Sequence, residues 1–130
     1  MKFKRFIGTF CALMLACISQ IANAQELTNS QRNAARSADD YLNMMPFSKE
    51  GLIDQLSSDA GEGYDRNDAE IAVNSLRVDW NEQAAKAGEN YLDMMGFSCK
   101  GLFEQLSSDA GDKYTKSQAK YGAEKAGACD

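Results

Sequence analysis

The chain has 130 residues, 44% hydrophobic and 25% charged, with no histidine, four cysteines and a net charge of −5. Without histidine there is no His-based triad, no zinc-protease motif and no haem attachment. An acidic chain offers no basic face to a phosphate backbone, so nucleic acid is not an expected partner.

Lys2, Lys4 and Arg5 precede an apolar run from Phe6 to Ile18, and Ala22-Asn23-Ala24 gives a small-x-small pattern ahead of Gln25. Residues 1–24 therefore read as a secretory signal peptide cut after Ala24. An alternative cut would leave a lipid-bearing Cys17, which Ala16 suits and Met14 and Leu15 suit poorly. A retained membrane helix is disfavoured, because the apolar run is shorter than the ~20 residues a bilayer span needs. The protein is expected in the periplasm or secreted, or anchored at the envelope if Cys17 is used.

Three of the 14 basic residues and none of the 19 acidic ones precede Gln25, so residues 25–130 carry 11 basic against 19 acidic residues, a net −8. Those residues are enough for one compact domain and too few for two independent cores.

Gln25 to Ser30 is polar and reads as loose chain. From Gln31 to Met45, Ala34, Ala35, Ala38, Tyr41, Leu42 and Met45 keep the rhythm of an amphipathic helix. Pro46 stops it. Ser48 is placed to cap a short helix, with Phe47 stapling against Leu52. Gly51 in its first turn gives up helix propensity and lets another backbone, or a ligand, come close. After a turn-rich loop to Tyr64, Asp65 with Asp68 three residues on has the pattern of a capping box. Ala69, Val73, Leu76, Trp80, Ala84, Ala87, Tyr91 and Met95 follow at three- and four-residue spacing with no proline between them. That spacing predicts one helix over Asn67–Met95, weakened at Gly88 and at the Val78-Asp79 junction.

YLNMMPFSKEGLIDQLSSDAG, 41–61, then recurs as YLDMMGFSCKGLFEQLSSDAG, 91–111, with fifteen of 21 positions identical. A repeat of this length is a supersecondary unit used twice. The expectation is an all-α protein of two helix-turn-helix-like repeats, about 31–80 and 81–130, sharing the long central helix. The last helix should stop near Ala126.

Cys99 and Cys129 are the cysteines left after the signal, and an even count in a small exported chain points to a disulfide rather than two free thiols. Their equivalents fifty residues earlier are Lys49 and Asp79, an opposite-charge pair. Facing positions would then hold ions in one repeat and sulfurs in the other.

No cofactor or metal is expected. Asp59, Glu62 and Asp65 do not follow calcium-loop spacing, and Ser48 and Ser98 have no base to activate them. Chemistry is thus unfavoured and a protein-interaction role favoured.

The stretch A-x-x-Y-L-x-x-x-x-F-S-x-x-G-L-x-x-Q-L, Ala38 to Leu56, returns from Gly88 to Leu106 with glycine at the leading alanine. With AEIAVNSLRVDW, Ala69 to Trp80, and the following Asn81 to Ala84, it resembles the repeat of the host-cell-surface-exposed lipoproteins, the Ltp-like family. The resemblance implies tandem helix-turn-helix repeats displayed outside the cytoplasmic membrane. For some prophage-carried members it implies a block to DNA entry of superinfecting phage through a protein of the incoming particle. The alternative is a structural or regulatory module that binds another envelope protein and is unrelated to phage. Either reading puts the partner surface on the second helix of each repeat, with Ile53 or Phe103 central and Asp54, Asp59, Glu104 and Asp109 around it. Such a surface calls for a basic or mixed-charge partner.

Overall fold

Thr28 starts the first helix two residues before the expected position. In the computed structural model, which describes residues 25–130, its hydroxyl accepts from the Gln31 amide while the Gln31 side chain accepts from the Thr28 amide, and α1 runs Asn29–Met44. This reciprocal cap satisfies two donors the helix itself leaves open. The signal segment and Cys17 lie outside the described residues.

Ser48 caps α2, Lys49–Ser57, by accepting from the Gly51 amide at 2.9 Å. Asp65 caps α3, Arg66–Ser75, on the amides of Asn67 and Asp68. Asp68 does not close the expected box. Its carboxylate accepts from Gln31 Nε2 at 2.9 Å and ties α3 to the first turn of α1. The second repeat copies this order as α4, Trp80–Met94, α5, Cys99–Ser107, and α6, Lys116–Ala126. Thr115 and Gln118 do make the full box, and Gly127 ends α6 with φ 94°, the left-handed region that glycine enters without cost. Six helices and no strand make up the described residues.

The helix expected over Asn67–Met95 is broken. Leu76 is extended at the end of α3, and Asp79 accepts from the Glu82 amide at 3.1 Å to start α4 afresh. Leu76 and Trp80 on either side of the break pack against the first repeat's core. Their apolar spacing is real, but the buried surface is gained by turning the chain. An aspartate cap beside β-branched Val78 supplies the turn.

The core is also divided, contrary to the single one expected. Ala38, Leu52, Ile53, Leu56, Ala69 and Val73 form one cluster, and Ala84, Ala87, Leu102, Leu106, Tyr114, Ala119 and Ala123 another. Leu52 and Leu56 in α2, like Leu102 and Leu106 in α5, are fully buried, so each short helix closes its own repeat. Truncating one of them to alanine costs about 2–5 kcal/mol.

The second repeat is drawn tighter. A Cβ added at Gly122 would sit 2.7 Å from the Ala84 carbonyl oxygen, and one at Gly88 would sit 2.9 Å from the Ala126 Cβ. Ala38 and Ala72 stand at these places in the first repeat. Glycine at the leading alanine of the motif is therefore a packing choice that lets α6 lie against α4.

Cys99 and Cys129 are bridged, with Cα atoms 4.7 Å apart, joining the start of α5 to the tail after α6. Lys49 and Asp79 make no ion pair among the described residues; Asp79 is occupied as the cap of α4. The sulfur bridge has no ionic counterpart.

Candidate functional site

The extensive helix packing lies within each repeat: α1 and α2 on α3, and α4 and α5 on α6. Between the repeats lies a cleft of about 840 Å³, with Met45, Phe47, Ala87, Tyr91, Met94 and Asp112 among its lining. This volume falls in the range of ligand-sized sites, which are largely apolar with a few convergent polar groups.

The polar groups come from a network built twice. Gln55 Nε2 donates to the Tyr41 hydroxyl at 3.2 Å, and that hydroxyl donates to Glu62 Oε1 at 2.6 Å. Gln105 Nε2 donates to the Tyr91 hydroxyl at 3.1 Å, and Tyr91 donates to Asp112 Oδ1 at 2.8 Å. Phe47 and Phe97 meet these tyrosines edge-on at 5.7 and 5.6 Å. Each network pins the loop after the short helix to the helix that opens the repeat.

Tyr91 and Asp112 of the second network line the cleft, whereas the first network reaches it through Gln55. There, burial first and then the Asp112 carboxylate push the Tyr91 hydroxyl up to about 12. Burial raises the Asp112 carboxyl above its ordinary value, against the bonds from Tyr91 and Gln105 that pull it down. A carboxylate held this way is poorly solvated and gains from an arriving cation.

Across the cleft, Ser48 Oγ donates to the Asp112 carbonyl, Lys113 Nζ pairs with Asp54, and the Phe47 amide donates to Gln83 Oε1 at 3.3 Å. Asp54 also accepts from Arg66 at 2.7 Å, and Arg66 reaches Glu50 at 2.5 Å and Glu70 at 3.3 Å. Lys113 and then Arg66 hold the Asp54 carboxyl below its usual range.

The residues expected to form a partner surface are dispersed. Ile53 is 4% exposed inside the first core. Phe103 packs against the second core, so Phe103 and Ile53 do not form an exposed centre. Asp54 belongs to the ion cluster, whereas Asp59, Glu104 and Asp109 are exposed, Glu104 beside Lys100 at 3.7 Å. The α2 and α5 patch therefore lacks its apolar middle.

The exposed apolar surface lies elsewhere. Met44, Met45, Met94 and Met95 are 54–71% exposed at the ends of α1 and α4, and Met45 and Met94 edge the cleft. The helical spacing had placed Met45 and Met95 on apolar faces, but both fall past the last helical turn. Flexible, polarisable methionine suits a surface that adapts to a partner. No described helix is long and apolar enough to cross a membrane, and no cluster of three metal-ligating side chains occurs among the described residues.

The profile of a family described as host cell surface-exposed lipoprotein matches residues 29–76 and 79–125. Those two segments are α1–α3 and α4–α6, divided where the central helix is broken. Among solved structures the chain is similar to Ltp, a superinfection exclusion protein from the Streptococcus thermophilus temperate phage TP-J34. The two share 29% identity and a TM-score of 0.68 over 76% of this chain and 97% of that one. Comparison with curated proteins gave no match.

Proposed function

This chain belongs to the host cell surface-exposed lipoprotein family, and on that footing we propose that it is an exported, non-enzymatic interaction module that blocks DNA entry of superinfecting phage. The observation that carries the reading is its likeness to a superinfection exclusion protein along nearly the whole length of that protein. Residues 1–24 would direct export, which fits a family displayed on the cell surface.

The partner, in this reading, is a protein of the incoming particle that engages the cleft between the repeats. Met45 and Met94 offer adaptable apolar contact there, and the poorly solvated Asp112 favours a segment bearing lysine or arginine. The surplus of acidic residues in 25–130 acts in the same sense at longer range.

The test expresses the full chain in a phage-sensitive host, verifies export by fractionation, and follows adsorption and DNA entry separately. Adsorption should match the empty-vector control while DNA entry falls at least about tenfold, equivalent to ~1.4 kcal/mol of free energy. Undiminished entry across a panel of phages infecting that host would overturn the reading and leave an envelope module with another partner.

A further inference from the structure

Both repeats make a left-handed turn after the short helix, and the second makes it with a residue other than glycine. Lys113 has φ 62°, the only positive φ at a non-glycine among the described residues, and its counterpart Gly63 has φ 68°. Both repeats need the left-handed turn, and only the first fills it with the residue that enters it freely.

What the lysine adds is a side chain that crosses to the other repeat. Its ammonium pairs with Asp54 on α2, and the preceding residue, Asp112, gives its carbonyl to the Ser48 hydroxyl. A Cβ placed at Gly51 would meet that carbonyl at an ordinary 3.5 Å but would press on the Ser48 Oγ that binds it, at 2.9 Å. The contact runs one way. Glu104, the counterpart of Asp54, faces Lys100 within its own helix, and Ser98, the counterpart of Ser48, is exposed. The extensive helix packing is confined to each repeat, so the relative orientation of the two units rests on this turn, on the bond from the Phe47 amide to Gln83 Oε1 and on the chain around Trp80.

We propose that Lys113 is a positioning residue, a clasp whose bond to Asp54 fixes the angle between the repeats and with it the width of the cleft. The strained turn is retained because a glycine there would leave the repeats joined but unclasped. Asp54 keeps Arg66 when Lys113 is removed, so the loss of the clasp does not strand a charge. The proposal stands independently of what the cleft binds.

Residual dipolar couplings of backbone amides in residues 25–130, with the disulfide intact, read the orientation of each repeat directly. The wild type and Lys113→Arg should fit one alignment tensor across both repeats. Lys113→Gly should keep the helices, the disulfide and a thermal midpoint no lower than wild type, yet require two tensors, because it relieves the turn while opening the clasp. Lys113→Asn, which also accepts the left-handed region, should behave as Lys113→Gly does. Lys100→Gln, which removes a pair within one repeat, should leave the single tensor in place. A single unchanged tensor for both the glycine and asparagine variants would overturn the proposal, as would two tensors in the wild type. Unfolding of both variants would overturn it too, since Lys113 would then serve stability rather than orientation.

Discussion

Ala87 occupies the place that Ser37 holds in the first repeat, and Tyr114, in the same core cluster, has its hydroxyl buried without a hydrogen-bond partner among the described residues. In the first repeat the same tyrosine, Tyr64, meets the Ser37 hydroxyl at 3.3 Å. Burial drives the Tyr114 hydroxyl far above its ordinary titration range. Ala87→Ser restores the missing partner and should stabilise the protein by about 1 kcal/mol. For a domain of about 100 residues this raises the thermal midpoint by roughly 4–8 °C. Ala87→Ser in a Tyr114→Phe background should give no such gain. An equal gain in both backgrounds would assign the effect to something other than the hydroxyl pair.

Gly122→Ala should destabilise although alanine favours a helix by up to about 1 kcal/mol. The new methyl would meet backbone atoms of Ala84 at 2.7–2.8 Å, and backbone does not swing aside as a side chain end does. Overpacking of this kind costs about 1–3 kcal/mol, so steric conflict outweighs propensity. Urea titration of the two proteins measures the difference, and a more stable Gly122→Ala would show that α4 and α6 are not in close backbone contact.

Removing the Cys99–Cys129 bridge should cost about 2–4 kcal/mol, because the bridge closes a loop of 30 residues in the unfolded chain. The loss should fall in the lower half of that range, since α6 is also held by α4 and α5. Far-ultraviolet circular dichroism of a Cys99→Ser, Cys129→Ser protein should show unchanged helix at 20–25 °C and a lower midpoint. Mass spectrometry of unreduced protein should find no alkylated thiol at either position.

Two carboxylates should give opposite pH responses. Asp54 titrates below its ordinary value of 3.8 through its bonds to Lys113 and then Arg66. Its stabilisation is therefore complete above the ordinary carboxylate range and is lost as pH falls through the lowered value. Glu50 and Glu70 on Arg66, and Asp109 near Lys113, share the field around this pair. Asp112 is raised by burial, so its contribution is present below the ordinary range and lost as pH rises through the raised value. Denaturant midpoints from about pH 2.5 to 7 should lose part of their acid fall in Asp54→Asn and part of their decline on the rising side in Asp112→Asn. Identical profiles in all three proteins would contradict the assigned environments.

Much of the fold could be read from residue spacing. The fifty-residue repeat identified the two units, and Ser48 and Asp65 marked helix starts that the structure keeps. The long central helix could not be corrected by periodicity, because Leu76 and Trp80 keep helical spacing while packing on a neighbouring core across a turn. The site was less legible. Ile53 and Phe103 share the repeat position expected at the centre of a partner surface, but one is core and the other lies against core. The cleft arises from contacts 59 and 64 residues apart, Lys113 with Asp54 and Asp112 with Ser48, which no local pattern encodes. One signal was available: the change from Gly63 to Lys113 within an otherwise conserved stretch of the repeat.

The most direct test of the account is a photo-crosslinking amino acid placed at Met94, at the edge of the cleft, or at Tyr121, exposed on α6 outside the cleft lining. Each exported protein is irradiated during infection by a phage whose DNA entry it blocks, and adducts are identified by mass spectrometry. The account predicts an adduct between position 94 and one protein of the incoming particle, and none from position 121. Equal yields from both positions, or no particle protein captured at position 94 while exclusion persists, would contradict it.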